Sequence, residues 1–356
     1  MEGKPNERIR IKDIAEQAGV SVGTVDRVLH GRPNVSEASR QRVEAVLKQI
    51  NYQPNMYASA LASNKKYNFI CLLPEHGEKD YWVEVEKGIA KATYNMKDFH
   101  VTTTLLHYNP FDEKSFREQC QKVLELEPSG VMLTPTTLKE TRPFTEALEK
   151  EEVPYVFIDS RIKELNALTF YGQDSEKSGI FAARMLMLLT GAQKEIFLFK
   201  MIDEGRVGST QQEHREEGFR AYMAKHYPDC KIIELTLNAA NPTSHEAVLN
   251  DFFSKHKCIQ GITFNSKAYV IGEYIIEHNL KDVQIMGYDL LQRNATCMKQ
   301  NSISFLITQH PWIQGFNGIK SLGEHLILKK EVRKETLMPI ELLTKENMDF
   351  YMMTQQ

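Results

Sequence analysis

Residues 11–29, IKDIAEQAGVSVGTVDRVL, constrain this chain more than any other stretch. Ile11, Ile14, Ala15 and Ala18 fall at helical spacing and give one apolar face. Gly19 stands where that helix must end, because glycine takes the left-handed conformation without steric cost. Ser21 can cap a second helix, in which Val22, Val25, Val28 and Leu29 repeat at steps of three and four. A helix, a tight glycine turn and a second helix form the plan whose second helix can enter a DNA major groove. By spacing alone, a helical hairpin buried in a larger fold is as good an account. Residues 36–50 read as a third helix, with Ser36 as N-cap and Val43, Val46, Leu47 and Ile50 as its stripe. Three short helices make a minimal module.

Charge is unevenly placed along the chain. Residues 1–66 hold 11 Lys and Arg against 7 Asp and Glu, and the rest holds 33 against 40. A basic head on an acidic body fits a protein that touches phosphates at one end. The length of 356 residues allows two or three folding units. Cys71, Cys120, Cys230, Cys258 and Cys297 are odd in number and include no C-x-x-C pair. Free thiols in a reducing compartment are expected, not a zinc site. The segment MEGKPNERIR lacks the apolar core of a signal peptide, and no run approaches the roughly 18 apolar residues of a membrane span. The expectation is a cytoplasmic protein with no membrane partner.

Residues 1–8 are expected to be disordered. In NYQPNMYASALASNKK, residues 51–66, Pro54 can start a helix near Asn55, although MYASALA is too short to be stable alone. A plain linker is the simpler account. From residue 68, apolar runs of strand length alternate with helical stretches. The strand candidates are 69–74, 101–108, 130–135, 154–160, 195–202, 231–237, 261–266, 283–289, 303–309 and 339–345. This alternation predicts an α/β body of two doubly wound parallel sheets. Several strands end in a polar residue: Asp159, Asn265, Asp289 and Gln309. Doubly wound sheets bind ligands outside the carboxyl ends of their strands, so each is a site candidate. Capping of the next helix is the plainer alternative for any one of them. No nucleophile elbow, P-loop or metal-ligand cluster stands out, so no enzymatic activity, cofactor or metal is expected. His107, His214 and His310 read as lone structural histidines.

The stretch IKDIAEQAGVSVGTVDRVLHGRPNVSEASRQRVEAVLKQINYQPNMYASALAS resembles the DNA-binding head of the LacI/GalR family of bacterial transcription regulators. The remainder resembles, more weakly, periplasmic sugar-binding proteins. The resemblance implies a small all-α head at 1–63 with a hinge helix at about 55–62, then a periplasmic-binding-protein-type body at 64–356. Within the body it implies one subdomain at about 67–170 and 310–338, and a second at about 171–308 and 339–356.

Position by position, the resemblance puts base reading on Val22, Gly23 and Arg27, with Arg27 able to grip guanine O6 and N7. Thr24 and Asn34 take phosphate contacts, which carry no sequence information. Asn55 contacts DNA at the start of the hinge helix, and Leu61 takes the place of the minor-groove wedge that kinks the duplex. TVDR stands where the family usually has TVSR. Asp26 cannot donate to a phosphate, so pairing with Arg27 or a nearby base, or acceptance from a cytosine amino group, is expected instead.

For the effector, Tyr81 and Trp82 match an aromatic pair that stacks on a sugar ring. FIDSR offers Asp159 and Arg161. HREEGF places the hydroxyl-binding arginine on Arg215, ahead of Gly218 and Phe219. ITFNS, MGYD and ITQ place ligand roles on Asn265, Asp289 and Gln309. Aromatic faces suit the C–H faces of a sugar, and carboxylate, amide and guanidinium groups suit its hydroxyls. Neutral sugars, sugar acids and sugar phosphates all remain open. The implied protein is a repressor that binds double-stranded, pseudo-palindromic operator DNA as a homodimer under control of a sugar or sugar derivative. The alternative is a sugar-binding protein without DNA-regulatory activity.

Overall fold

The computed structural model describes residues 10–29, 32–50, 56–61, 63–191 and 193–354. The disorder expected of residues 1–8 and the contact expected of Asn55 lie outside them. The chain divides into two compact units, Met1–Ser63 and Asn64–Gln356.

The first unit holds α1 (Ile11–Ala18), α2 (Val22–Leu29), α3 (Glu37–Gln49) and α4 (Met56–Leu61). Gly19 closes α1 at φ 59°. Ser21 Oγ accepts the Thr24 N–H at 3.1 Å and opens α2. Ser36 Oγ accepts the Ser39 N–H at 3.3 Å and opens α3. Ile14, Ala15, Ala18, Val25, Val43 and Val46 form the core. Val22 departs from the expected stripe and is 49% exposed. Steps of three residues fall short of the 3.6-residue turn, so Val22 is carried off the face on which Val25 is buried.

The second unit opens with β1 (Tyr67–Pro74), α5 (Tyr81–Asn95), β2 (Val101–Tyr108), α6 (Glu113–Glu125), β3 (Gly130–Leu133), α7 (Leu138–Lys150), β4 (Tyr155–Ile158) and β5 (Thr169–Gly172). It continues through α8 (Ser175–Thr190), β6 (Glu195–Ile202), α9 (Thr210–His226), β7 (Lys231–Asn238), α10 (His245–Lys255), β8 (Ile259–Ile262), α11 (Tyr269–Glu277), β9 (Val283–Tyr288), α12 (Gln292–Lys299) and β10 (Phe305–Thr308). It ends with α13 (Pro311–Leu326), β11 (Glu335–Leu337), β12 (Glu341–Leu343) and α14 (Met348–Thr354).

Two six-stranded sheets result, ordered β11-β5-β4-β3-β1-β2 and β12-β10-β9-β8-β6-β7. They repeat one plan. The order reverses between β1 and β3 in the first and between β6 and β8 in the second. Neighbours are parallel throughout, except that β12 runs antiparallel to β10 at the edge. Two strands escape the sequence reading, β5 (TFYG) and β11 (ETL), because neither is long enough to show a period. The last candidate, 339–345, shortens to β12.

The chain passes between the sheets after β5, after β10 and between β11 and β12. One side chain ties these passages together. Gln173 Nε2 donates to the Thr308 carbonyl and to the Pro339 carbonyl, each at 2.6 Å. Each sheet is also covered by a helix pair in backbone contact. A Cβ on Gly88 of α5 would stand 2.1 Å from the Trp312 carbonyl oxygen, and one on Gly315 of α13 the same distance from that of Val85. In the second sheet, a Cβ on Gly179 of α8 would meet the Arg215 carbonyl at 1.9 Å, and one on Gly218 of α9 the Glu176 carbonyl at 2.1 Å.

The parallel register of β1 and β2 sets His107 opposite Leu73. That brings His107 to Glu86 of α5 and to His76, just beyond β1, with ligand-type atoms all within 4.8 Å of one another. The reading of His107 as a lone histidine, and of the chain as lacking a metal-type cluster, is corrected here. The three residues are separated in sequence by a helix that only the folded sheet brings back onto its own strand.

Candidate functional site

A cavity of about 380 Å³ opens at the carboxyl ends of both sheets. Pro74 at the end of β1, Glu75 just after it and Thr134 after β3 line it, as do Val207, Ser209 and Asn265 after β6 and β8. These are the two points where strand order reverses, the place where doubly wound sheets bind ligands. Tyr81, Trp82, Tyr108 and Phe111 supply aromatic walls. Six carboxylates line it, Glu75, Asp80, Asp112, Glu113, Asp159 and Glu213, against the cations Arg206 and Lys267. Arg206 is itself engaged, 3.2 Å from Glu113.

Behind this cavity lies a buried polar network. Asp159 follows β4 and Asp289 follows β9, at matching places in the two sheets, with φ of 64° and 63°. Asp tolerates this left-handed conformation better than most residues. Arg215 of α9 is 1% exposed. Its guanidinium lies 3.9 Å from the Tyr288 ring centroid. One terminal nitrogen donates to the Phe264 carbonyl at 2.8 Å, and the other to Gln309 Oε1. Gln309 Nε2 donates to Asp289 Oδ2 at 2.7 Å. Gln211 Nε2 donates to Gln309 Oε1 at 2.7 Å and to the Asp159 carbonyl at 3.1 Å. Gln314 Oε1 accepts the Asp159 N–H at 2.8 Å. Its Nε2 donates to the Gln309 carbonyl at 2.7 Å and to the Tyr81 hydroxyl at 3.1 Å. The Tyr81 hydroxyl in turn bonds the Asp159 carboxylate. The network therefore joins residues of both sheets through glutamine amides.

Burial pushes the Asp289 carboxyl up to about 7, against the opposing pull of Arg215 and of the Gln309 hydrogen bond. Burial raises Asp159 in the same direction. Asp289 Oδ1 is buried with no hydrogen-bond partner among the described residues. The unfolded chain holds aspartate near 3.9, so between about 4 and 7 the folded state binds more protons than the unfolded one. Stability from this group is therefore full below about 4 and lost as pH rises through about 7. The Asp289→Asn variant is expected to gain melting temperature over the parent at pH 8 relative to pH 5. Thermal melts at the two pH values check this, and an equal difference at both would show that the carboxyl titrates normally.

The structure thus brings together Tyr81, Asp159, Arg215, Asp289 and Gln309, and places Trp82 and Asn265 on the cavity. Arg215, Asp289 and Gln309 stand a layer behind the cavity wall and do not line it. Asn265 Oδ1 accepts the Lys267 N–H at 2.8 Å in a local turn. Arg161 turns elsewhere: it pairs with Glu335 of β11, lies 5.0 Å from the Phe170 ring centroid and lines a separate cavity. Gln211 and Gln314 on helices, and Gln173 in the loop between β5 and α8, escape the sequence reading, because a glutamine carries no local signal of a partner a hundred residues away.

In the head, Val22, Gly23 and Arg27 lie exposed along α2, and Asn34 is exposed with φ 67°. Thr24 Oγ1 lies 2.9 Å from Ser21 Oγ. Asp26 pairs with Arg32 at 3.1 Å, a partner the sequence reading did not name. Leu61 on α4 is 52% exposed.

Comparison with known proteins matches residues 70–331 to the periplasmic binding protein domain and residues 10–55 to the bacterial regulatory proteins of the lacI family. A solved structure from Bacteroides fragilis, placed among the LacI transcriptional regulators, is 51% identical, with a TM-score of 0.79. The match covers 81% of this chain and all of that one. The chain belongs to the LacI family. The ribose operon repressor of Halalkalibacterium halodurans is 26% identical to this LacI-family chain over 285 residues, 78% of this chain and 80% of that protein. The HTH-type transcriptional regulator DegA of Bacillus subtilis is 28% identical over 214 residues, 60% of each chain. The LacI-family assignment makes the chain a DNA-binding transcriptional regulator and not an enzyme. No helix among the described residues is long and apolar enough to cross a membrane.

Proposed function

We propose that this LacI-family chain is a repressor that binds a pseudo-palindromic operator as a homodimer, and that a neutral sugar held between its two sheets changes its affinity for DNA. The cavity lining carries the ligand class: aromatic walls with six carboxylates and few cations suit hydroxyl donors and C–H faces, and repel phosphates and acids. One three-helix head reads a half-site, so two-fold symmetry of protein and operator go together. Closing the sheets on ligand would shift the buried glutamine bridge and the three passages tied by Gln173, and so bias DNA affinity. A coupling of about 1–3 kcal/mol is typical of such systems.

Two measurements test this. Selection from a random duplex library should return a symmetric site. The Arg27→Ala variant should bind that site about 1–3 kcal/mol more weakly and lose preference at one position in each half. Binding without symmetry would overturn the operator reading. In a thermal-shift screen, a neutral sugar at about 100 times its dissociation constant should stabilise the protein by about 2.7 kcal/mol. A shift with sugar phosphates alone would overturn the ligand class.

A further inference from the structure

We propose that His76, Glu86 and His107 form a binding site for a divalent transition ion of the zinc type, on the wall of the first sheet. Nothing in the family assignment or in the sugar reading calls for it, and it stands on its own geometry. His107 Nε2 lies 2.7 Å from Glu86 Oε1, and His76 Nε2 lies 3.4 Å from the same oxygen. The two imidazole rings stand edge to face at 5.2 Å.

The tautomer of His76 carries the argument. Its Nδ1 lies 2.9 Å from the Pro74 carbonyl, which can only accept, so Nδ1 holds the ring's proton. In the neutral ring Nε2 is then a bare lone pair. It faces a carboxylate oxygen, a second lone pair, with only 9% of the His76 side chain exposed. Such a contact is relieved either by a second ring proton, on Nε2, or by a metal ion held between the two, and metal titration separates them. A metal-bound histidine commonly donates its other ring N–H to a backbone carbonyl, which fixes the tautomer and aims the ligand nitrogen. The His76–Pro74 pair has that form.

The donor set suits the ion. Zinc takes imidazole nitrogen at about 2.0–2.1 Å and carboxylate oxygen at about 2.0–2.2 Å, so tetrahedral ligand atoms stand about 3.3 Å apart. The 3.4 Å spacing of His76 Nε2 and Glu86 Oε1 matches that value, and the 2.7 Å spacing of His107 Nε2 and Glu86 Oε1, a direct hydrogen bond, opens to admit the ion. Three protein ligands leave one position for water or for an oxygen of another molecule. Glu86 and His107 are 26% and 35% exposed, which leaves the ion a path from solvent. The ligands come from β2, from α5 and from the loop that lines the ligand cavity at His76. An ion there would clamp the cavity wall to its sheet.

The test uses the full chain, stripped with chelator and titrated with zinc chloride, and separately with cobalt(II) chloride. One ion per chain is expected. Cobalt should give the visible bands of tetrahedral coordination without thiolate charge transfer, since no cysteine belongs to the cluster. Glu86→Gln and His107→Gln, which keep size and hydrogen bonding, should each weaken binding by at least about 100-fold, beyond what loss of an outer-shell partner costs. Their melting temperatures in chelator serve as the fold control. Absence of stoichiometric binding, or binding undiminished in both variants, would overturn the site. Should the variants fail to fold, X-ray absorption of the zinc-loaded parent decides: imidazole scattering supports the site, and a sulfur shell overturns it. None of these readouts depends on a sugar, so failure here leaves the ligand reading untouched.

Discussion

Replacing Arg215 by alanine is expected to lower the melting temperature by roughly 10 °C and to weaken ligand binding between the sheets. Arg215 is the cation of a buried site that also holds Asp159 and Asp289, 4% and 3% exposed. Its removal leaves both carboxylates without a counter-charge and strips Gln309 Oε1 and the Phe264 carbonyl of a donor. Removing one partner from a buried charge network costs about 3–5 kcal/mol, most of it from the charges left behind. That cost has a signature. Adding Asp289→Asn to Arg215→Ala should recover part of the loss, since one uncompensated carboxylate is gone. Arg215→Lys should rescue little, because a point charge cannot both lie flat on Tyr288 and reach two acceptors. Calorimetric melts of the single and double variants measure all three effects. Strict additivity of the two substitutions would sink the coupling.

The second large effect is expected from Gly218→Ala. The added methyl would stand 2.1 Å from the Glu176 carbonyl oxygen, which belongs to helix backbone and cannot swing aside. Helices α8 and α9 must then separate. Overpacking of this kind costs about 1–3 kcal/mol or more, and the backbone contact puts Gly218→Ala at the upper end. It also moves the site, because Arg215 lies on α9 one turn before Gly218. Ligand binding should therefore weaken beyond the loss of stability. Gly77→Ala is the control: its methyl would meet nothing closer than Asp80 Oδ2 at 3.6 Å, an ordinary contact, and little change is expected. Equal behaviour of the two variants would refute the close-packing account.

These two residues also show how far sequence reasoning reaches. Arg215 and Gly218 were legible as a pair, because HREEGF carries the resemblance to sugar-binding proteins. The reason for the glycine was not legible, since it is the backbone of α8, some forty residues earlier. Asp159, Asp289 and Gln309 were legible as strand ends, because an apolar run that stops at a polar residue marks the carboxyl edge of a buried strand. The placement of Asp289 and Gln309 behind the cavity wall, with Asp159 on it, was not. Arg161 shows the limit from the other side. It lies two residues past Asp159 in sequence, yet it turns to Glu335 on a strand that its three residues could not announce.

What the sequence determined by itself is whatever depends on local period and local caps. The three helices around Gly19, the caps at Ser21 and Ser36, the alternating α/β body and the polar strand ends all follow from contacts within a few residues. What only the tertiary structure decided is whatever depends on closing long loops. Gln173 reaches Thr308 and Pro339, Gln211 and Gln314 join the two sheets, and His76, Glu86 and His107 converge. The physical reason is that side-chain spacing encodes direction over a turn or a pleat, whereas register between distant strands is set by burial of the whole sheet. A residue such as Gln314 acquires its three partners only after that burial is complete.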